Sequence, residues 1–493
     1  KSRMGDLGNI LRVQISYCAR GALDPSYGSN LSYVNEVTSI SPIPVLQMMR
    51  HAWKNYRLYA WGKNELEPIS MQPHLSGEFG KGEPGATIVA GLDTLYIMGL
   101  MDEFREGRDW LAEYFHDLYL SVFEMTIRFV GGLLSCYALT GDALFKDKAA
   151  EVADALLPAF DSPTGLPYAL VNPSTNYVMT IFTWNMYISV YRQKVNRIRE
   201  VLLNVTESDG LYRNMINALT GQRGQLYVSL GEMGGSFYEY LLKAWLVSGF
   251  ADKQARVMFD EAMQAALDKM LRVSPVKKKS QHLFHVACRN VLLRYFFNNL
   301  RLLTSISGGM FALASTTLDN SLSDRYMDVA RNLTHTCHES YDRSETKLGP
   351  EAFIFSGAVE AQALKRNEKA YLLRPETFES YFIMWRLTKE QKYRDWGWEA
   401  VKAIEKHCRV EGGYTGIVNV YDANPKGDNV QQSYFLAETL KYLYLLFSDD
   451  NLLSLDEWVF NTEAHPLPVR GRNPLYREAR ALPALPAPND NNL

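Results

Sequence analysis

The sequence predicts an all-α protein built from paired helices stacked in a ring or solenoid. Three observations carry this. Six long segments place apolar residues at helical spacing, several of them run into glycine-bearing turns, and strand signals are short and confined to those turns.

In chain order, residues 1–41 read as a polar lead-in or stem remnant, with no signal-peptide apolar region and no membrane-spanning run. The helical segments follow at 44–58, 145–160, 255–271, 323–341, 392–408 and 431–447. The turn SPTGLPYA closes the second and EGGYTGI the fifth. Another helix is predicted from Pro375 in YLLRPETFESYFIMWR (371–386). Proline lacks an N–H and its fixed φ suits the first helical position, while Arg374 before it is pushed toward an extended backbone. Glu376 then occupies the first turn, where the helix dipole favours a carboxylate, and Glu379 shares its face. Phe378, Phe382 and Trp385 form an apolar stripe that can anchor the helix. Residues 42–468 form the folded unit, and the proline-rich 469–493 reads as a disordered tail.

With 47% hydrophobic and 22% charged residues, the 493-residue chain fits a large soluble globular protein. A net charge of −3 without a long basic run gives no nucleic-acid footprint. Five cysteines are too few for a disulfide scaffold, and sequons at Asn30, Asn204 and Asn332 permit glycosylation without establishing it.

Three further segments carry chemistry. In VFEMTIRFVGGLLS, Glu124 and Arg128 are spaced for a helical ion pair, which is structural more often than catalytic. Gly131 and Gly132 on the next turn cost helix propensity, so close approach by another element is their expected purpose. In QQSYFLAETLKYLYLLF, Glu438 shares a face with Tyr434 and must find a partner, a metal or water. In VFNTEAHPLPV, Thr462 offers a hydroxyl and a carbonyl oxygen, which suit a hard cation, beside Glu463.

Together with YAWGKNELEPIS, GATIVAGLDTLYIMGL, SFYEYLLKAWL, GGMFALA, TCHESYDR and KLGPEAF, these segments resemble, in order and wording, the class I α1,2-mannosidases of glycoside hydrolase family 47. The ending is most similar to the Golgi-type members. The resemblance implies an (α/α)7 barrel with a calcium ion at its base. It also implies inverting hydrolysis of terminal α1,2-linked mannose on oligomannose N-glycans of glycoproteins. Residue by residue, Glu124 is similar to the family's acid and Glu376 to its base, while Thr462 matches the direct calcium ligand. Glu379, Glu438 and Glu463 match positions around the calcium waters. Arg128, His285, Glu351, Arg374 and Tyr434 match the lining of the sugar site, Tyr434 standing where the family usually has Phe. Cys288 and Cys337 match the family's disulfide. The resemblance further implies a monomer on the lumenal side of the Golgi membrane, or in the endoplasmic reticulum. Membrane association would come only through an anchor absent from this chain.

The chain also departs from that pattern. Gly235 stands where the family has an active-site Asp, and Ala90 replaces the first Asp of an Asp-Ala-Leu-Asp-Thr pattern, although Asp93 remains. Between Asn176 and Lys194 a longer family segment is missing, residues 289–306 are inserted, and a gap in the barrel wall is expected. Retention of Glu124, Glu376 and Thr462 favours an active enzyme; Gly235 in place of the Asp predicts weak or absent turnover with mannoside binding retained, and partial rescue by Gly235→Asp. Gly235 and the missing segment favour the alternative, a catalytically impaired mannose-binding relative acting as a lectin or in glycoprotein quality control.

Overall fold

The computed structural model describes residues 41–477, apart from 76–78, 115–118, 174, 176, 180–181, 185–191, 206–209, 225–226, 274–283, 287, 291–295, 298, 302–304 and 356–358. The expected lead-in (1–40) and most of the tail (478–493) therefore lie outside the described residues.

Helices dominate, in the order α1 (Ile43–Tyr59), α2 (Ala86–Ile97), α3 (Met101–Tyr114), α4 (Val122–Thr140), α5 (Ala143–Leu156) and α6 (Arg192–Val205). Then come α7 (Glu232–Val247), α8 (Lys253–Lys269), α9 (Ile306–Thr317), α10 (Ser323–Asp342), α11 (Glu376–Thr388), α12 (Lys392–His407) and α13 (435–447). Strands are two to four residues long and pair as small antiparallel ribbons in the loops. Those used below are β1 (Leu271–Val273), β2 (Phe284–Val286), β3 (Cys288–Asn290), β4 (Trp458–Phe460) and β5 (Pro466–Pro468).

The helices pack as an all-α barrel of pairs: α2 with α3, α4 with α5, α7 with α8, α9 with α10, α11 with α12, and α13 with α1. The first member of each pair forms the inner ring, where α13 meets α2, α2 meets α4, α7 meets α9, α9 meets α11 and α11 meets α13. Sequence explains which helices go inside. The segments ATIVAGLDTLYI and ISGGMFALASTT are apolar nearly all round and buried along most of their length. The outer helices α10 and α12 instead bury one stripe each. By length and composition α4 is apolar enough to cross a membrane, yet most of it is buried inside the barrel.

Between α4 and α7, among the described residues, no inner helix completes the ring; the stretch holds short strands and α6. This is where the sequence predicted a gap. The β4–β5 hairpin lies there, β4 against α7 and β5 against α4. Three buried rings, Phe382, Tyr442 and Phe460, pack in tilted and edge-to-face contacts where this hairpin meets α11 and α13.

Two expectations change here. The Cys288–Cys337 disulfide is not formed: Cys337 is a free thiol buried in α10. Burial pushes that thiol up to about 12, so it behaves as a small apolar side chain. Cys288 lies on β3, which pairs with residues 227–228 and 296–297; its side chain is outside the described residues. The Asn332 sequon sits inside α10 with Thr334 fully buried, so the folded chain does not present it on a loop.

Candidate active site

The N-terminal ends of α4, α7, α11 and α13 converge at one end of the barrel, bringing the positive ends of four helix dipoles toward the carboxylates there. On α11, Pro375 is the N-cap and the Phe378 and Glu379 amides donate to its carbonyl at 2.8 and 3.0 Å. Immediately upstream, Leu373 takes a left-handed backbone (φ 62), a conformation that costs a β-carbon residue about 1–2 kcal/mol. That kink turns Arg374 and Glu376 in succession toward the site.

Two arginines organise the polar side chains. Arg128 donates from Nε to Glu124 Oε2 at 2.6 Å, and its terminal nitrogen reaches Glu463 Oε1 at 2.6 Å and Ser433 Oγ at 3.3 Å. Arg374 forks onto Glu351 at 3.0 and 3.1 Å. The Tyr434 ring lies between them, 5.9 Å from the Arg128 guanidinium carbon and 5.4 Å from that of Arg374. The Tyr434 hydroxyl donates to the Leu372 carbonyl at 2.6 Å, so a tyrosine fits where a phenylalanine would suffice.

Both Arg128 and Glu438 sit in π-helical turns, Met125–Val130 and Phe435–Thr439. A π-turn inserts a residue into the helix and re-aims the side chains around it, often at functional sites. The sequence did not reveal either turn.

Thr462 follows β4, with Oγ1 3.2 Å from Ser236 Oγ and its amide donating to the Tyr240 hydroxyl at 3.2 Å. Asn461 beside it donates to the Ile127 carbonyl at 2.8 Å. Gly131 and Gly132 leave the room for this turn, because a β-carbon on Gly131 would collide with the Asn461 side chain and one on Gly132 would crowd His465 and the Val89 carbonyl. Close approach is thus their purpose, as the sequence suggested.

Glu376, Glu379, Glu438 and Glu463 are all buried. Burial pushes the Glu376 carboxyl up to about 7 against the pull of Arg374, and its Oε2 has no hydrogen-bond partner. Glu379 also rises to about 7, through burial first, with Lys243 opposing and Glu239 assisting. Glu463 reaches about 7 by burial although Arg128 pulls it down, and Glu438 rises well above the carboxylate range by burial and the Glu463 charge.

Six carboxyls (Glu124, Glu239, Glu376, Glu379, Glu438, Glu463) thus have only Arg128 and Lys243 as direct ion-pair partners, Arg374 acting on Glu376 from its pairing with Glu351 and Lys441 on Glu463 from its pairing with Asp93. Such an oxygen-only, under-neutralised set suits a hard divalent cation. No cluster of three or more His, Cys, Asp or Glu side chains stands in chelating geometry among the described residues. A cation here would therefore bind through Thr462 oxygens, with the carboxylates one layer further out.

Of the residues singled out by sequence, Glu124, Arg128, Glu351, Arg374, Glu376, Glu379, Tyr434, Glu438, Thr462 and Glu463 are brought together by these contacts. His285 lies on β2 opposite Arg272, and its side chain is outside the described residues. Sequence reasoning missed Glu239 and Lys243 on α7: Lys243 pairs with Glu239 and reaches Glu379 at 3.2 Å. Their i, i+4 spacing within SFYEYLLKAWL was the available signal. Gly235 occupies the first turn of α7, where a β-carbon would stand 2.7 Å from the Leu230 carbonyl oxygen. Packing therefore favours glycine here, which opposes the expected rescue by Gly235→Asp.

The chain matches the model of Glycosyl hydrolase family 47 over residues 48–187 and 186–469. It is 67% identical over 469 residues to mannosyl-oligosaccharide alpha-1,2-mannosidase IA of Spodoptera frugiperda, covering 90% of this chain and 69% of that one. It is 47% identical over 453 residues to human mannosyl-oligosaccharide 1,2-alpha-mannosidase IB, covering 86% and 69%. Among solved structures it superposes on alpha-1,2-mannosidase from Trichoderma reesei with a TM-score of 0.79 at 25% identity, covering 88% of this chain and all of that one. The buried carboxylates at the converging helix ends are thus set in a barrel of known kind, and the chain belongs to glycosyl hydrolase family 47.

Proposed function

We propose that this chain is a calcium-dependent, inverting α1,2-mannosidase that removes terminal α1,2-linked mannose from oligomannose N-glycans of glycoproteins. The observation that carries the reading is Glu376. It is buried at the positive end of α11, keeps one oxygen free of hydrogen bonds, and has a carboxyl raised to about 7 by burial. A base poised near the working pH is what activation of water requires. The names of the relatives at 67% and 47% identity support the substrate class.

In this reading Glu124 delivers a proton to the departing glycosidic oxygen. Arg128 fixes Glu124 through Oε2 and divides its charge with Glu463, leaving Oε1 for the transfer. Glu376 Oε2 takes a proton from the water that attacks the opposite face of the sugar, so the configuration inverts. Arg374 and Glu351 offer donors and acceptors to mannose hydroxyls, and the Tyr434 ring forms an apolar wall between the two arginines. Calcium, held by the Thr462 oxygens, would supply the positive charge that draws and polarises sugar hydroxyls. The same reading assigns the chain to the lumenal side of the Golgi membrane or the endoplasmic reticulum, where oligomannose glycoproteins are processed.

The test is hydrolysis of α1,2-linked mannobiose with calcium, followed by proton NMR of the nascent product. β-Mannose appearing first is expected; early α-mannose would overturn the inverting assignment. Gly235, which contributes no carboxylate at the start of α7, favours the second reading, a mannose-binding relative. Saturable binding of the disaccharide without turnover would decide for it.

A further inference from the structure

We infer that Asp93 is a positioning residue, clamping the turn that presents Thr462 and Glu463; this rests on the proposed calcium site. Asp93 lies on α2 and is fully buried. Its Oδ1 meets Lys441 Nζ at 2.8 Å, its Oδ2 meets His465 Nδ1 at 2.7 Å, and Ser135 Oγ donates to Oδ2 at 2.9 Å. Lys441 follows Glu438 by three residues on α13, and His465 follows Thr462 by three in the turn between β4 and β5. One carboxylate therefore ties the helix carrying Glu438 to the turn carrying Thr462.

The turn needs such a tie. Ala464 is in the left-handed region (φ 58), which a residue with a β-carbon holds only when its surroundings impose it. Lys441 imposes it by donating to the Ala464 carbonyl at 2.8 Å. From the other side, Asn461 Oδ1 accepts the Glu463 and His465 amides, each at 2.9 Å. Without Asp93, Lys441 and His465 lose their common partner and Ala464 is free to relax. Thr462 and Glu463 would then move relative to Arg128, Ser236 and Glu438. A buried ion pair that served stability alone would be readily replaced by apolar side chains. Here the charges end on the backbone of the strained residue next to Glu463.

The experiment titrates calcium chloride into the protein by calorimetry and measures melting temperature without calcium. Its variants are Asp93→Asn, Ser135→Ala and, as a destabilised control, Arg199→Met, which breaks a partly buried pair between Arg199 on α6 and Asp252 (2.7 Å), the N-cap of α8. Loss of an outer-layer partner weakens metal affinity by about 10–100-fold. Asp93→Asn should reach that range and Ser135→Ala should shift in the same direction by less. Arg199→Met should lower the melting temperature with calcium affinity unchanged. Calcium affinity equal to wild type in Asp93→Asn would overturn the clamp. If Asp93→Asn does not fold, an unchanged affinity in Ser135→Ala overturns it instead. A wild-type protein that binds no calcium overturns the metal reading, and the clamp falls with it.

Discussion

Two buried acidic regions share α13 and the β4–β5 turn, yet they are built on opposite terms. Around Asp93, one carboxylate has Lys441, His465 and Ser135 as partners; burial would raise it, but Lys441 and then His465 outweigh that and hold it at about 2. Around Glu376, Glu379, Glu438 and Glu463 burial wins: Glu376, Glu379 and Glu463 stand at about 7 and Glu438 rises well above the carboxylate range. Depth is the same in both, so burial alone does not decide whether a carboxylate is costly. The supply of cations decides it. The satisfied region holds the fold, and the starved region is where a cation and a sugar have something to gain.

If that contrast is right, mutations on the two sides should differ in kind. The largest effect is expected for Glu376→Gln, which removes the proton acceptor. Its kcat should fall by about 10²–10⁴-fold with disaccharide binding retained. Activity within a few-fold of wild type would remove Glu376 from the mechanism.

Next is Arg128→Met, which strips the buried Glu463 and the partly buried Glu124 of their shared cation. Breaking a buried pair costs about 3–5 kcal/mol, readable as a shift of the urea midpoint. A smaller loss in calcium-loaded than in calcium-free protein would sharpen the contrast, because the metal can take over part of the charge.

Gly235→Asp should cost about 1–3 kcal/mol by crowding the Leu230 carbonyl, with no gain in turnover. A stable, faster variant would mean that the first turn of α7 can open to admit a carboxylate. On the satisfied side, Ser135→Ala removes one hydrogen bond to the ionised Asp93 carboxylate, which keeps Lys441 and His465, and should lower stability by only about 1.5 kcal/mol in thermal or urea unfolding.

What the sequence disclosed follows the same division. The helix opened by Pro375 begins at Glu376, and the segments predicted at 44–58 and 323–341 match Ile43–Tyr59 and Ser323–Asp342. Amphipathic stripes and prolines act locally, so they are written in the order of residues. Helices such as Ala86–Ile97 lacked a stripe because they are buried on all sides. The carboxylates of the site were legible through resemblance to a family. The π-turns, the left-handed Leu373 and Ala464, and the Glu239–Lys243 pair were not. Those features are fixed by contacts between segments far apart in sequence. The 435–447 helix also starts later than predicted, since Gln431 instead pairs its backbone with Leu66.

One measurement tests the central claim, that the starved cluster is completed by a divalent cation: the melting temperature as a function of pH, with and without calcium. A carboxyl raised from 4.5 to about 7 in the folded protein binds more protons folded than unfolded between those values. Below pH 4.5 it therefore costs nothing, and stability is lost as pH rises through about 7. Calcium-free protein should melt at progressively lower temperature across that window. Millimolar calcium should restore the loss above it and do little below it, where the carboxyls are protonated. A calcium-free melting temperature that is flat or rising with pH through this window, or a calcium effect independent of pH, would contradict the account.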